Sequence, residues 1–150
     1  MGDINHSKNF PASFRPKIYE VITEKMTEFI TTKLPQTGHK PPVALSADKA
    51  TYKHRSRHFL CAITVVPGSS ELLQVISCGQ PVVTAGSSGY ELAQHMKTGF
   101  GKYSIEGDQI ESAVFDGVYF HINIVENLNR EYGLNEGDIL YSWDALHAVD

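Results

Sequence analysis

Val43-Ala44-Leu45-Ser46-Ala47-Asp48 and Ser112-Ala113-Val114-Phe115-Asp116 decide how this chain folds. Each is an apolar run with β-strand character closed by a carboxylate. A carboxylate at the end of a buried strand costs free energy unless something pairs with it. Two such strands, parallel and side by side, would put both carboxylates at one edge of a sheet, where a divalent metal can bridge them.

Working outward, residues 1–13 read as a loose arm. Phe14, Ile18, Val21, Ile22, Met26, Phe29, Ile30 and Leu34 fall at helical spacing and predict an amphipathic helix over 14–34. Pro35, Gly38, Pro41 and Pro42 end it and form a linker. After the strand 43–48, a second strand is expected over 59–66 and a third over 71–83, joined by Pro67-Gly68-Ser69-Ser70 as a hairpin turn. Gly79 and Pro81 predict a bend at the end of the third strand. Ser88, with Glu91 three residues on, marks the start of a helix over 89–100. The fourth strand is 112–116, a helix over 118–132 ends at Gly133, and a fifth strand covers 139–143. A last helix begins near Asp144.

The order is one helix followed by β-β-β-α-β-α-β-α. Strands joined by short turns are antiparallel, and strands reached through helices are parallel by right-handed crossovers. The expectation is an α/β fold with a mixed five-stranded sheet in the order 3-2-1-4-5, strand one central. The last helical signal stops at Asp150, too short to pack well, so the pattern reads as a domain truncated at its C-terminus. Residues 1–42 form the arm, helix and linker, and 43–150 the partial domain.

Composition bounds the rest. At 150 residues, 41% apolar and 20% charged, the chain has the balance of one ordinary globular domain. Its net charge of −4 carries no global nucleic-acid signature, so a nucleic-acid site has to be a local basic patch. Cys61 and Cys78 are too few for a disulfide scaffold or a zinc site and read as buried free thiols. No apolar run approaches the roughly 20 residues of a membrane span, and residues 1–10 lack the apolar core of a secretory signal. The default is an intracellular, reducing compartment.

With its residues in place, this order of elements is that of the ribonuclease H fold, and the chain resembles the hAT superfamily of DNA transposases and its domesticated relatives. Three features carry the resemblance. Asp48-Lys49-Ala50-Thr51 looks like the family's Asp-x-x-Thr at the end of strand one; Asp116 closes strand four; Asp144-Ala145-Leu146-His147 is similar to the Cys/Asp-x-x-His motif after strand five. The likeness covers residues 43–150. It implies metal-dependent phosphodiester hydrolysis and strand transfer on DNA in the parent protein, in the nucleus, with Asp48 and Asp116 holding Mg²⁺ or Mn²⁺ and with Asp144 and His147 shaping the catalytic site. It also implies a third acidic residue, a glutamate far downstream, which this chain does not reach. The fragment alone is therefore expected to be inactive, and any homo-oligomer to form through regions missing here. Gly117-Val118-Tyr119-Phe120 are bulkier than the family's residues after the second aspartate.

Each residue also has a plainer reading. Asp48 caps a turn with Thr51, Asp116 caps the next helix, Asp144 is another helix cap and His147 packs in a core. Lys49, Lys53, His54, Arg55 and Arg57 crowd the segment after Asp48, either as phosphate contacts (Lys49, Lys53, Arg55 and Arg57) or as a solvated hairpin loop. Tyr52 and Trp143 could stack on bases or pack at a rim. Glu111 and Asp138 are alternative third ligands for a stand-alone nuclease. Against the enzyme stands another class of function, a domesticated interaction or regulatory module that keeps the fold and has lost the chemistry.

Overall fold

The computed structural model describes residues 10–66, 73–84 and 87–143. Its elements are α1 (Phe10–Thr31), β1 (Val43–Tyr52), β2 (Arg55–Val65), β3 (Leu73–Gly79), β4 (Val82–Thr84), α2 (Gly89–Gly101), β5 (Ile110–Phe115), α3 (Ile124–Tyr132) and β6 (Leu140–Trp143). They build an open, mixed sheet with strand order β3-β2-β1-β5-β6, while β4 pairs with β2. β1 and β2 are antiparallel, as are β2 and β3, whereas β5 runs parallel to both β1 and β6. Numbered as in the sequence reading, this is the expected order 3-2-1-4-5, with the expected third strand split in two. The split falls where Gly79 takes φ +112° and Gln80-Pro81 interrupt the ladder.

Strand alternation shows why the sheet is covered on one side. Val43, Leu45 and Ala47 of β1, Leu60 and Ala62 of β2, Ile76 and Cys78 of β3, and Ala113 and Phe115 of β5 are buried. Their out-of-phase neighbours Phe59, Val75 and Val114 are exposed. Leu92, Met96 and Phe100 of α2 and Ile124 and Leu128 of α3 join that buried layer. Gly89 opens α2 so close to the chain after β5 that an added Cβ would lie 1.8 Å from the Ile122 carbonyl oxygen. Ser88 caps α2 as expected, its Oγ accepting from the Glu91 N–H at 3.2 Å.

Three expectations need correcting. The first strand does not stop at Asp48. It runs on to Tyr52 and returns as β2 from Arg55, because Lys53 and His54, at φ +46° and +62°, make a two-residue hairpin turn. The helix expected over 118–132 is two elements: a 3-10 turn at Gly117–Ile122, then α3 after Asn123 at φ +51°. Asn tolerates this left-handed conformation better than most residues, so it can separate the two. Gly133 ends α3 at φ +70°, as expected. The apolar stripe of α1 is buried only at its C-terminal end. Ile30 reaches the core, but Phe14, Ile18, Val21 and Ile22 are exposed. What ties α1 down is Gln109, whose buried side-chain amide donates to the carbonyls of Ile30 and Pro41 at 2.9 and 3.1 Å. The hairpin turn at Pro67–Ser70 and the helix expected from Asp144 lie outside the described residues.

Candidate functional site

The parallel pair β1/β5 fixes the two aspartates. Their last registered partners are Ala47 and Phe115. Asp48 and Asp116 each follow directly, so both carboxylates belong to the same end of the parallel ladder. There β5 stops, while β1 continues as an arm of the hairpin. Asp48 is exposed, and one of its oxygens accepts from the backbone N–H of Lys49 at 2.7 Å. It does not cap a turn with Thr51, because residues three apart on a strand face opposite sides. Thr51 Oγ1 instead sits 3.1 Å from Ser56 Oγ across the hairpin. Asp116 is half-buried at the N-cap position of the 3-10 turn, where its side chain makes no capping hydrogen bond. Both carboxylate charges bear on the Tyr119 hydroxyl. Burial first, then Asp48 and Asp116, raise its pKa well above the ordinary tyrosine value.

Tyr119 leads to a pair the sequence reading missed. Its hydroxyl lies 2.9 Å from Nδ1 of His58, with the rings edge to face. His58 is 3% exposed, and among the described residues its buried Nε2 has no hydrogen-bond partner. Burial, then the positive fields of Lys49 and His95, lower its pKa to about 4. It is therefore neutral at pH 7. A cavity of about 130 Å³ lies against this pair, lined by Lys49, Ser56, Val83, Leu92 and Ile122 among others. The alternation of Ser56, His58 and Leu60 on the buried phase of β2 was the available sequence signal. Nothing in the sequence pointed to Tyr119 as the partner.

The basic segment is divided by the same alternation. Lys49 faces the cavity with His58, its registered cross-strand partner. On the other face, Ala50, Tyr52, Lys53, Arg55, Arg57 and Val82 line an open groove of about 440 Å³. The cluster read as one patch is thus a three-residue patch plus a lysine on the far side. Tyr52 is 72% exposed, and the Lys53 ammonium lies 5.1 Å from its ring centroid. Among the described residues neither Arg55 nor Arg57 is in an ion pair. Exposed guanidinium groups beside an open aromatic face are the components of a phosphate- and base-contacting surface.

The remaining candidates are placed as follows. Asp144 and His147 lie outside the described residues. Glu111 stands near the start of β5, five residues before Asp116, which is about 16 Å along an extended strand. Asp138 precedes β6 and accepts from the backbone and side chain of Asn135 at 2.7 and 3.2 Å. Neither is at the aspartate end of the ladder. Among the described residues, no group of three or more His, Cys, Asp or Glu side chains is arranged to hold a metal ion. Cys78 is buried and its thiol is pushed up to about 12 by burial first, while Cys61 is half-buried; both are free. No described helix is long and apolar enough to cross a membrane. The chain matches no protein-family model and no curated protein.

Proposed function

We propose that this chain carries a ribonuclease H-like module of hAT-transposase type, in which Asp48 and Asp116 bind Mg²⁺ or Mn²⁺ and the β1–β2 hairpin contacts DNA. The observation that carries the reading is the β1/β5 register, which pairs Ala47 with Phe115 and sends both aspartates out of the parallel ladder together. Paired carboxylates favour a cation between them, and Mg²⁺ needs only one or two protein carboxylates when substrate phosphate and water complete its shell. Lys53, Arg55 and Arg57 are the phosphate contacts of this reading, and a nuclear location follows from it. The parental reaction is phosphodiester hydrolysis and strand transfer, which draws on a further acidic ligand. For the described residues the reading assigns metal and DNA binding.

The test is Mn²⁺ titration followed by NMR line broadening. Broadening centred on Asp48, Asp116 and Tyr119, and lost in the double variant Asp48→Asn/Asp116→Asn, supports the site. Broadening confined to other residues rejects it. A second reading, an interaction module without metal chemistry, is favoured by the sheet face that the described residues leave uncovered, where Phe59, Leu73, Val75, Val114 and Leu140 are exposed. Rejection of the metal site together with a stable fold selects that reading.

A further inference from the structure

A second cavity lies between α3, β6 and the loop joining them, and its Trp143 is registered to Phe115, the residue before Asp116. It measures about 80 Å³, and Phe120, Tyr141, Trp143, Glu126, Glu136 and Asn129 are among its lining residues. Three of these are aromatic and stand as walls rather than as a stack. The Phe120 and Trp143 centroids are 5.1 Å apart at 84°, and those of Tyr141 and Trp143 are 5.4 Å apart at 64°. Phe120 and Tyr141 are more than half exposed, so they are not core residues that happen to touch. Two carboxylates line the same cavity, and among the described residues neither Glu126 nor Glu136 is in an ion pair. Asn129 is buried, and among the described residues its side-chain oxygen has no hydrogen-bond partner.

We propose that this aromatic cavity binds the methylated ammonium group of a lysine side chain on a partner peptide. Aromatic faces carry negative quadrupole charge and attract a cation that is too weakly hydrated to prefer water, which is how aromatic cages take methylated ammonium groups. A cavity of about 150 Å³ accommodates the six heavy atoms of benzene, so this one of about 80 Å³ takes about three, one methyl-bearing side of the ammonium, while the rest of the head stands at its mouth against the exposed Phe120 and Tyr141. The ligand is cationic because, among the described residues, the only formal charges lining the cavity are those of Glu126 and Glu136. The same two carboxylates separate the two sources of such a head group. A choline head carries its phosphate close by and would bring it to an acidic rim, whereas a lysine on a basic peptide brings further positive charge. The cavity shares no lining residue with the aspartate pair, and neither reading needs the other.

Trp143 is the one tryptophan in the chain, so intrinsic fluorescence reports on this cavity directly. The whole chain is titrated with Nα-acetyl-Nε-trimethyl-lysine amide, its unmethylated counterpart, phosphocholine, and the neutral isostere 3,3-dimethylbutan-1-ol. The expected result is a saturable change with the trimethylated compound and binding at least about fivefold weaker for the unmethylated one. Phosphocholine should be weaker than the trimethylated compound, and the neutral isostere should give no saturable change. Glu136→Gln and Phe120→Leu should each weaken binding by about threefold to thirtyfold; the first is an exposed, shape-preserving change that leaves folding intact. Equal binding of the neutral isostere would make the cavity merely apolar and overturn the proposal. So would the absence of any saturable change, or affinity unaltered in both variants. Phosphocholine binding as tightly as the trimethylated lysine would overturn the peptide assignment.

Discussion

The Tyr119 hydroxyl and His58 Nδ1 meet at 2.9 Å, and this contact joins the turn after Asp116 to the strand that pairs with Asp48. Both partners are held neutral, the histidine because its pKa is about 4 and the phenol because burial and two aspartates raise its pKa. The pair is a buried neutral hydrogen bond behind a carboxylate edge, with an imidazole nitrogen unpartnered among the described residues.

Its first consequence is pH dependence. His58 has a folded pKa of about 4 against an ordinary value of 6.5, so the unfolded chain takes up this proton first as pH falls. The stability it contributes is complete above about pH 7 and is lost between about 6.5 and 4, rising with pH throughout that window. Lys49 and His95 oppose the charged form, and Tyr119 offers it no anion. Urea unfolding should show the wild type losing about 2 to 3 kcal/mol from this group between pH 7 and pH 4.5. His58→Phe should be less stable at pH 7, because Tyr119 loses its partner, yet should lose less on acidification. Identical losses in the two proteins would mean that His58 is not the titrating group.

Gln109 is the tie between α1 and the sheet. It is 2% exposed, donates to the Ile30 and Pro41 carbonyls, and accepts from the Glu106 N–H at 3.3 Å. Gln109→Met keeps the length of the side chain and strands all three backbone groups. A destabilisation of about 2 to 4 kcal/mol is expected, with hydrogen exchange accelerated first in the last turn of α1. A loss below about 1 kcal/mol would show that water replaces the amide without difficulty.

These sites differ in how legible they were. The β1 and β5 cores declare themselves because Val43–Ala47, apart from Ser46, and Ala113–Phe115 are apolar, and the helix that precedes β5 implies the parallel crossover. Asp48 to Tyr52 are too polar to read as a strand. Their β-structure comes from pairing with Arg55 to Phe59, across a turn with no glycine or asparagine to announce it. The break at Asn123 was hidden because Val118 to Leu128 keep helical spacing through it. The His58–Tyr119 and Phe120–Trp143 contacts were unreadable for another reason: each joins residues that only the folded crossovers bring together.

The turn itself is strained. Lys53 and His54 both occupy the left-handed region, at φ +46° and +62°, where a Cβ crowds the backbone. Lys53→Asn/His54→Gly supplies the residues this turn type prefers and should raise stability by about 1 to 2 kcal/mol, read as an increase in Tm. An unchanged or lower Tm would show that side-chain contacts at the tip, such as Lys53 over Tyr52, outweigh the backbone term.

The hairpin also separates two kinds of lysine, and DNA binding should report the difference. Lys53, Arg55 and Arg57 share one open groove with Tyr52, while Lys49 lies on the opposite face against His58. Each phosphate neutralised contributes about 0.7 to 0.9 to the slope of log affinity against log salt. Lys53→Ala/Arg55→Ala/Arg57→Ala should therefore flatten that slope by about 2 to 3 and weaken binding to all sequences alike. Lys49→Ala should leave the slope nearly unchanged, although its place in the sequence groups it with the other three. Tyr52→Ala should weaken single-stranded DNA more than duplex, because stacking needs an unpaired base face. Fluorescence anisotropy at several salt concentrations measures all of these. A slope that responds to Lys49 as strongly as to Arg55 and Arg57 would place the DNA on the cavity face. A slope that responds to none of them would return the hairpin to a solvated arm of the sheet.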